Sequence, residues 1–187
     1  DGERYPGTII DGPNSNNFDR SRLKNMQYNT TILGLAYYFT GNSTYAKIGA
    51  RNIRTWFLNE DTKMNPHMLY AQVKRGQHNN TGFNYGLIEM KDIYFFLDAI
   101  RLIVRDGFLT AQEQVDLKQW FTDYLQWLET STLGKLEYTT ENNHGLYFDI
   151  QVASIAAFLN DTSKLIWTVE QTKSRLIKQI DYMGDGR

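Results

Sequence analysis

The string Glu141-Asn142-Asn143-His144-Gly145 is the densest polar cluster at the start of a helical pattern in this chain. Two kinds of chemistry fit it. Asn142 or Asn143 can cap the helix, which would leave His144 simply exposed in the first turn. The same place also favours an anion, because unpaired backbone N–H groups and the positive helix end lie there. A neutral imidazole beside that anion can accept a proton. A second concentration is Met64-Asn65-Pro66-His67-Met68-Leu69-Tyr70-Ala71-Gln72, followed by Arg75 and Gly76. Asn, Tyr, Gln and Arg bind hydroxyls and carboxylates, while Met and Leu can anchor a loop to the core. Cleft lining and loop anchoring are both open at this point.

Other chemistries find less support. The chain has three histidines (His67, His78 and His144) and no cysteine, and no short-range metal-ligand spacing links the histidines. No metal site and no cofactor are expected. Paired carboxylates for glycosidase work would have to come from Glu89, Asp92, Glu141 or Asp149. Asp92 and Asp149 fall inside helical patterns, where capping or ion pairing accounts for them. Gly-rich nucleotide loops and the nucleophile elbow of hydrolases are absent. Tyr94-Phe95-Phe96 and the pair Trp120 and Trp127 read as core.

Helical periodicity runs through nearly the whole chain, and it divides into six segments. The first spans about Asp19 to Thr40, and Gly41 stops it. Ser43 caps the second, which carries Tyr45, Ile48, Ile53, Trp56 and Phe57. The third runs from about Leu87 to Val104 and is apolar on more than one side, as suits a helix between neighbours. Thr110 and Glu113 form a capping-box pair opening the fourth, which ends near Glu129. The fifth covers about Asn143 to Leu159, and the sixth starts after Asp161 and ends near Ile180. No stretch alternates convincingly as a strand.

Loop lengths then give the architecture. Helices one and two, three and four, and five and six are joined by only a few residues, so each pair is an antiparallel hairpin. The long connections, roughly Asn59 to Gly86 and Ser131 to Asn142, must share one end of the bundle. Both concentrations of chemistry lie at that end. The expected fold class is all-α: antiparallel helical hairpins forming part of an (α/α) toroid, in a single domain over residues 1–187.

Composition sets the outer bounds. The 187 residues are 41% hydrophobic and 22% charged, with a net charge of -1. Such a chain folds, and it lacks the charge excess that would suggest a nucleic-acid partner. No apolar run approaches the ~18 residues of a membrane span. Aromatic residues reach 14%, a content that suits sugar-binding clefts as well as core. Four N-x-S/T sequons, at Asn29, Asn42, Asn79 and Asn160, exceed chance and lean the reading toward a secreted, N-glycosylated protein.

The strings Lys63-Met64-Asn65-Pro66 through Tyr70-Ala71-Gln72, and Asn142-Asn143-His144-Gly145 followed by Tyr147-Phe148-Asp149-Ile150-Gln151, resemble the alginate lyase superfamily. Tyr45-Ala46 before Trp56-Phe57-Leu58, and Leu87-Ile88-Glu89, fit the same pattern. The resemblance implies an α/α toroid and metal-independent β-elimination on an acidic, uronic-acid polysaccharide. It also implies that Asn143 neutralises the uronate carboxylate and that His144 is the base or assists it. Asn65, Tyr70, Gln72 and Tyr147 would line the cleft. A non-catalytic, lectin-like relative with the same toroid is the alternative.

Departures from the family pattern carry an expectation of their own. Family members continue past an Asp-Gly-Arg-like segment into a stretch with an Arg and the Tyr that protonates the leaving oxygen. This sequence stops at Asp185-Gly186-Arg187, and its opening Asp1-Gly2-Glu3-Arg4 resembles the middle of a family member. Tyr138 and Tyr147 are poor substitutes for the missing Tyr. The remaining segments of the same protein are therefore expected as partners, and apolar helix faces should be left exposed.

Overall fold

A computed structural model describes residues 19–74 and 76–180 of the chain. The terminal strings Asp1–Arg4 and Asp185–Arg187, and Arg75 of the long loop, lie outside the described residues. Helix α1 spans Asp19–Thr40 and α2 spans Ser43–Ile53, continuing as a π-turn over Arg54–Leu58. After the long loop and a 3₁₀ segment, Asn84–Met90, come α3 (Ile93–Val104) and α4 (Ala111–Thr130). A short α5 (Thr132–Tyr138) precedes α6 (Asn143–Leu159) and α7 (Thr162–Gln179). The described residues form an all-α array of hairpins without a strand.

Three details depart from the sequence reading. Asn42, not Ser43, caps α2, because its side-chain oxygen accepts from Thr44 N at 3.0 Å. The third helix begins at Ile93. The apolar residues Leu87 and Met90 are buried from a tighter 3₁₀ segment, whose burial pattern imitates helix. The stretch from Ser131 to Asn142 is largely α5 rather than loop. Ser131 ends α4 and at once caps α5, accepting from Gly134 N at 3.0 Å. Gly134 permits that sharp return: a Cβ there would overlap the Leu128 carbonyl oxygen and lie 2.7 Å from its carbon. The Thr110–Glu113 capping box is present as expected.

Cross-links show that α1, α3 and α6 run parallel, side by side. Arg20 meets Glu89 at 2.7 Å near one end of α1, and Tyr37 hydrogen-bonds Asp106 near the other. Gln151 of α6 donates to the Leu87 carbonyl at 3.1 Å, while the Arg101 guanidinium lies 5.7 Å from the Phe158 ring. The N-termini of all three helices therefore share the end that carries the long connections.

The core fills the space between these helices and α4. Phe57 packs on Phe96, Trp120 and Phe121 with ring centroids 4.7–5.7 Å apart, and Phe121 meets Phe158 at 5.3 Å. Trp120 donates its indole N–H to the Met64 carbonyl at 2.7 Å, which pins the long loop to α4. Phe95, expected in the core, is exposed on α3, and Trp127 is only half-buried, 6.1 Å from the His67 ring. Tyr28, Ile32, Leu35 and Phe39 are exposed along α1 at helical spacing, so this helix does present an open apolar face.

Candidate active site

His144 occupies the first turn of α6. The amide oxygen of Asn142 accepts from His144 N at 2.9 Å and caps the helix. The imidazole Nδ1 lies 2.7 Å from Oε1 of Glu137, which is 1% exposed on the inner side of α5. Asn84, from the 3₁₀ segment, donates to the other oxygen of Glu137 at 2.8 Å. Groups from two other elements thus converge on this α5 carboxylate. Burial raises the Glu137 carboxyl above the usual range, and the His144 and Asn84 hydrogen bonds pull it part of the way back.

The segment joining α5 to α6 is clamped from α7. Arg175 donates to the Tyr138 carbonyl at 2.8 Å and the Thr140 carbonyl at 2.6 Å, and it pairs with buried Asp149 at 2.9 Å. Its guanidinium passes directly over Gly145, where a Cβ would overlap the Thr140 oxygen and the Arg175 Nη1. The glycine after the histidine is required by this close approach. Gln179 donates to the Asn142 carbonyl at 2.9 Å and closes the clamp.

Two open clefts adjoin this cluster. One, of about 550 Å³, is lined by His144, Asn142, Glu137, Asn84, Tyr85, Lys74 and Gln72. Lys74 supplies a cation there, its ammonium 5.0 Å from the Phe83 ring centroid and 5.7 Å from that of Tyr85. The second, of about 540 Å³, is lined by Arg20, Arg22, Trp56, Lys63, Asn65, His67, Tyr70, Gln72 and Glu89. Gln72 borders both. It is 4% exposed, its backbone is left-handed at φ 56, and its amide donates to Glu89 while its own carbonyl oxygen is buried without a partner. A non-glycine residue held there costs about 1 kcal/mol, a strain that clusters at working sites.

The structure brings the expected residues together unevenly. His144 and Gln72 line one cleft, and Asn65, Tyr70 and Gln72 line the other. Asn143 is exposed at the first helical position, with no side-chain hydrogen bond among the described residues, whereas Asn142 is committed to the cap. Tyr147 stands outside the lining of both clefts, its ring 5.8 Å from the Lys91 ammonium. His67, His78 and His144 sit in separate surroundings, and among the described residues no three acidic or imidazole groups gather as metal ligands. All four sequon asparagines are exposed. Sequence reasoning missed Glu137, Asn84 and Lys74. For Glu137 the available signal was a carboxylate three residues after Gly134 and four after Leu133, on the inward face of a short helical pattern.

A row of antiparallel helical hairpins with its polar clefts at the long-loop end is consistent with part of an (α/α) toroid. The chain belongs to the alginate lyase family, whose model matches residues 1–187. A crystal structure of an alginate lyase from Bacteroides ovatus superposes with a TM-score of 0.89 at 31% sequence identity. That match covers 95% of this chain and 47% of the other, so the chain spans about half the length of that relative. No match is found among curated proteins.

Proposed function

We propose that the protein is a polysaccharide lyase acting on a uronic-acid polymer, alginate- or glucuronan-like, by β-elimination. Family membership and the similarity to the Bacteroides ovatus lyase support the general activity. The observation that carries the chemistry is the His144–Glu137 contact at 2.7 Å. With Nδ1 engaged, Nε2 is the ring nitrogen left to act in the cleft. The proton on C5 of a uronate is hard to remove while the adjacent carboxylate is charged. Hydrogen bonds that stabilise the developing enolate lower the barrier.

Asn143 is assigned to that carboxylate, since the amide of Asn142 is occupied by the cap. His144 Nε2 takes the C5 proton. The electron pair forms the C4–C5 double bond as the C4–O bond breaks, and the leaving oxygen collects a proton. By the resemblance, that proton comes from a Tyr. Lys74, in the cleft of His144, supplies positive charge suited to an acidic chain. The resemblance also makes the reaction metal-independent.

The test is to incubate the complete protein with alginate, glucuronan and other polyuronates and follow the ultraviolet absorbance of unsaturated ends. Turnover is expected on at least one, and it should survive a chelator. His144→Ala should abolish it and leave the circular dichroism unchanged. No signal on any polyuronate refutes the lyase, and binding without turnover would favour a lectin-like relative. Secretion is part of the proposal, and the four exposed sequons support it. A deglycosylation mass shift on material from a eukaryotic secretory host would test it.

A further inference from the structure

We infer that Glu137 is a positioning residue that fixes the proton of His144 on Nδ1 and so leaves the Nε2 lone pair as the working base. The inference rests on the reading of His144 as the base and adds the group that prepares it. A carboxylate is an acceptor only. An imidazole nitrogen 2.7 Å from it must therefore carry the hydrogen when Glu137 is ionised. Asn84 donates to the second oxygen at 2.8 Å, which favours the ionised form and prevents the carboxylate from turning away.

The placement is hard to explain as packing. Glu137 is 1% exposed, and among the described residues its partners are an imidazole and an amide rather than a lysine or arginine. Burial raises its carboxyl above the usual range, so ionising it in place is unfavourable. An apolar residue on the inner side of α5 would bury more cheaply. The charge yields instead a single tautomer and a single ring orientation, both of which a base at Nε2 needs. Its support is built to match: the Ser131 cap and Gly134 fold α5 back against α4, and Arg175 holds the carbonyls of Tyr138 and Thr140 just after it.

The decisive readout does not depend on turnover. Long-range ¹H–¹⁵N correlation spectra of the imidazoles, with His144→Ala assigning the signal, should show neutral His144 as the Nδ1–H tautomer. Glu137→Leu removes the acceptor and should move it to the Nε2–H form that free imidazole side chains prefer. Glu137→Gln keeps an acceptor oxygen and should retain Nδ1–H. It also guards against a Leu variant that fails to fold, which circular dichroism would reveal. In the complete protein, Glu137→Leu should lower kcat by about 100-fold or more with KM within about twofold, and Glu137→Gln by about tenfold. A wild-type Nε2–H tautomer, or a folded Glu137→Leu with undiminished kcat, overturns the inference. The expected tautomers without turnover on any polyuronate would sink the lyase reading and leave the hold of Glu137 on the ring intact.

Discussion

Replacing Gly145 by alanine sets two effects of opposite sign against each other. Alanine is the better helix former by up to about 1 kcal/mol, and less in a first turn than in a helix interior. Against that, the new Cβ would overlap the Thr140 carbonyl oxygen and the Arg175 Nη1 and lie 2.8 Å from the Arg175 Cζ, where ordinary contact begins at 3.4 Å. The Thr140 oxygen belongs to the backbone, so the guanidinium gives first. It then loosens its bonds to the Thr140 and Tyr138 carbonyls, at 2.6 and 2.8 Å, and its hold on Asp149. Hydrogen bonds from a charged donor are worth about 1.5–3 kcal/mol each, and the Arg175 side chain is only 11% exposed. Losing the larger part of two, less the gain in propensity, leaves a net cost of about 2–4 kcal/mol. Urea unfolding followed by circular dichroism reads this as a lower midpoint at unchanged slope. In an Arg175→Met background the same substitution should cost less, because the clash partner has been shortened. A Gly145→Ala protein as stable as wild type would refute the clamp.

Three further outcomes follow from the charges. Hydrogen bonding to Arg54 lowers the Glu113 carboxyl from its ordinary 4.5 to about 2. Its stabilisation is therefore full above pH 4.5 and lost as pH falls toward 2, about 1–2 kcal/mol after solvent screening of the partly exposed pair. Glu113→Gln should flatten the acid limb of a thermal-stability profile, and an unchanged limb would show that the pair contributes nothing. Glu137 has the opposite sign: its carboxyl is raised, so the folded state holds the proton more tightly and loses stability as pH climbs past 4.5. Glu137→Gln should raise Tm at neutral pH but not below 4.5, and a lower neutral Tm would mean the hydrogen bonds to the carboxylate outweigh the burial. Lys74→Met should raise KM for a polyuronate about three- to tenfold with kcat nearly unchanged, the gap closing in high salt; equal KM values would remove Lys74 from the substrate path.

Features written in local contacts were legible in the sequence. The Thr110–Glu113 box declares itself because both partners lie within one turn of helix. The end of the bundle that carries the chemistry could be placed from loop lengths alone, since helix pairs joined by a few residues must be antiparallel. Local rules also misled: Leu87, Ile88 and Met90 are spaced as in a helix, yet tertiary burial holds them in a 3₁₀ segment. Helix α5 escaped notice because its cap, Ser131, is also the end of α4, and seven residues are too few to show a period. In the site, His144 stood out by type and setting. Its partner Glu137 did not, because six intervening residues and a change of element separate them. Asn84 lies 53 residues from the carboxylate it binds, and no spacing rule connects the two.

The two ends of the bundle differ in the sign of their electrostatics. At the short turns, charges are placed where they help folding: Arg54 holds Glu113 in the capping box, and Tyr37 with Arg105 keeps the Asp106 carboxyl below its usual range. Left-handed backbone there is confined to helix-ending positions such as Asn160, where such a turn is the regular stop. At the long-loop end the tendency reverses. Glu137 is buried against its ionisation, Gln72 holds a strained backbone and an orphaned oxygen, and His78, Asn79 and Asn80 are all left-handed in succession. Selection for stability alone would remove such features, since each has a cheaper apolar or glycine alternative. Glu137 and Gln72 both line the cleft of His144, where a site kept for chemistry would require such features. Replacing Glu137 by glutamine is the sharpest probe of that difference, because it should stabilise the protein and impair the base in a single step.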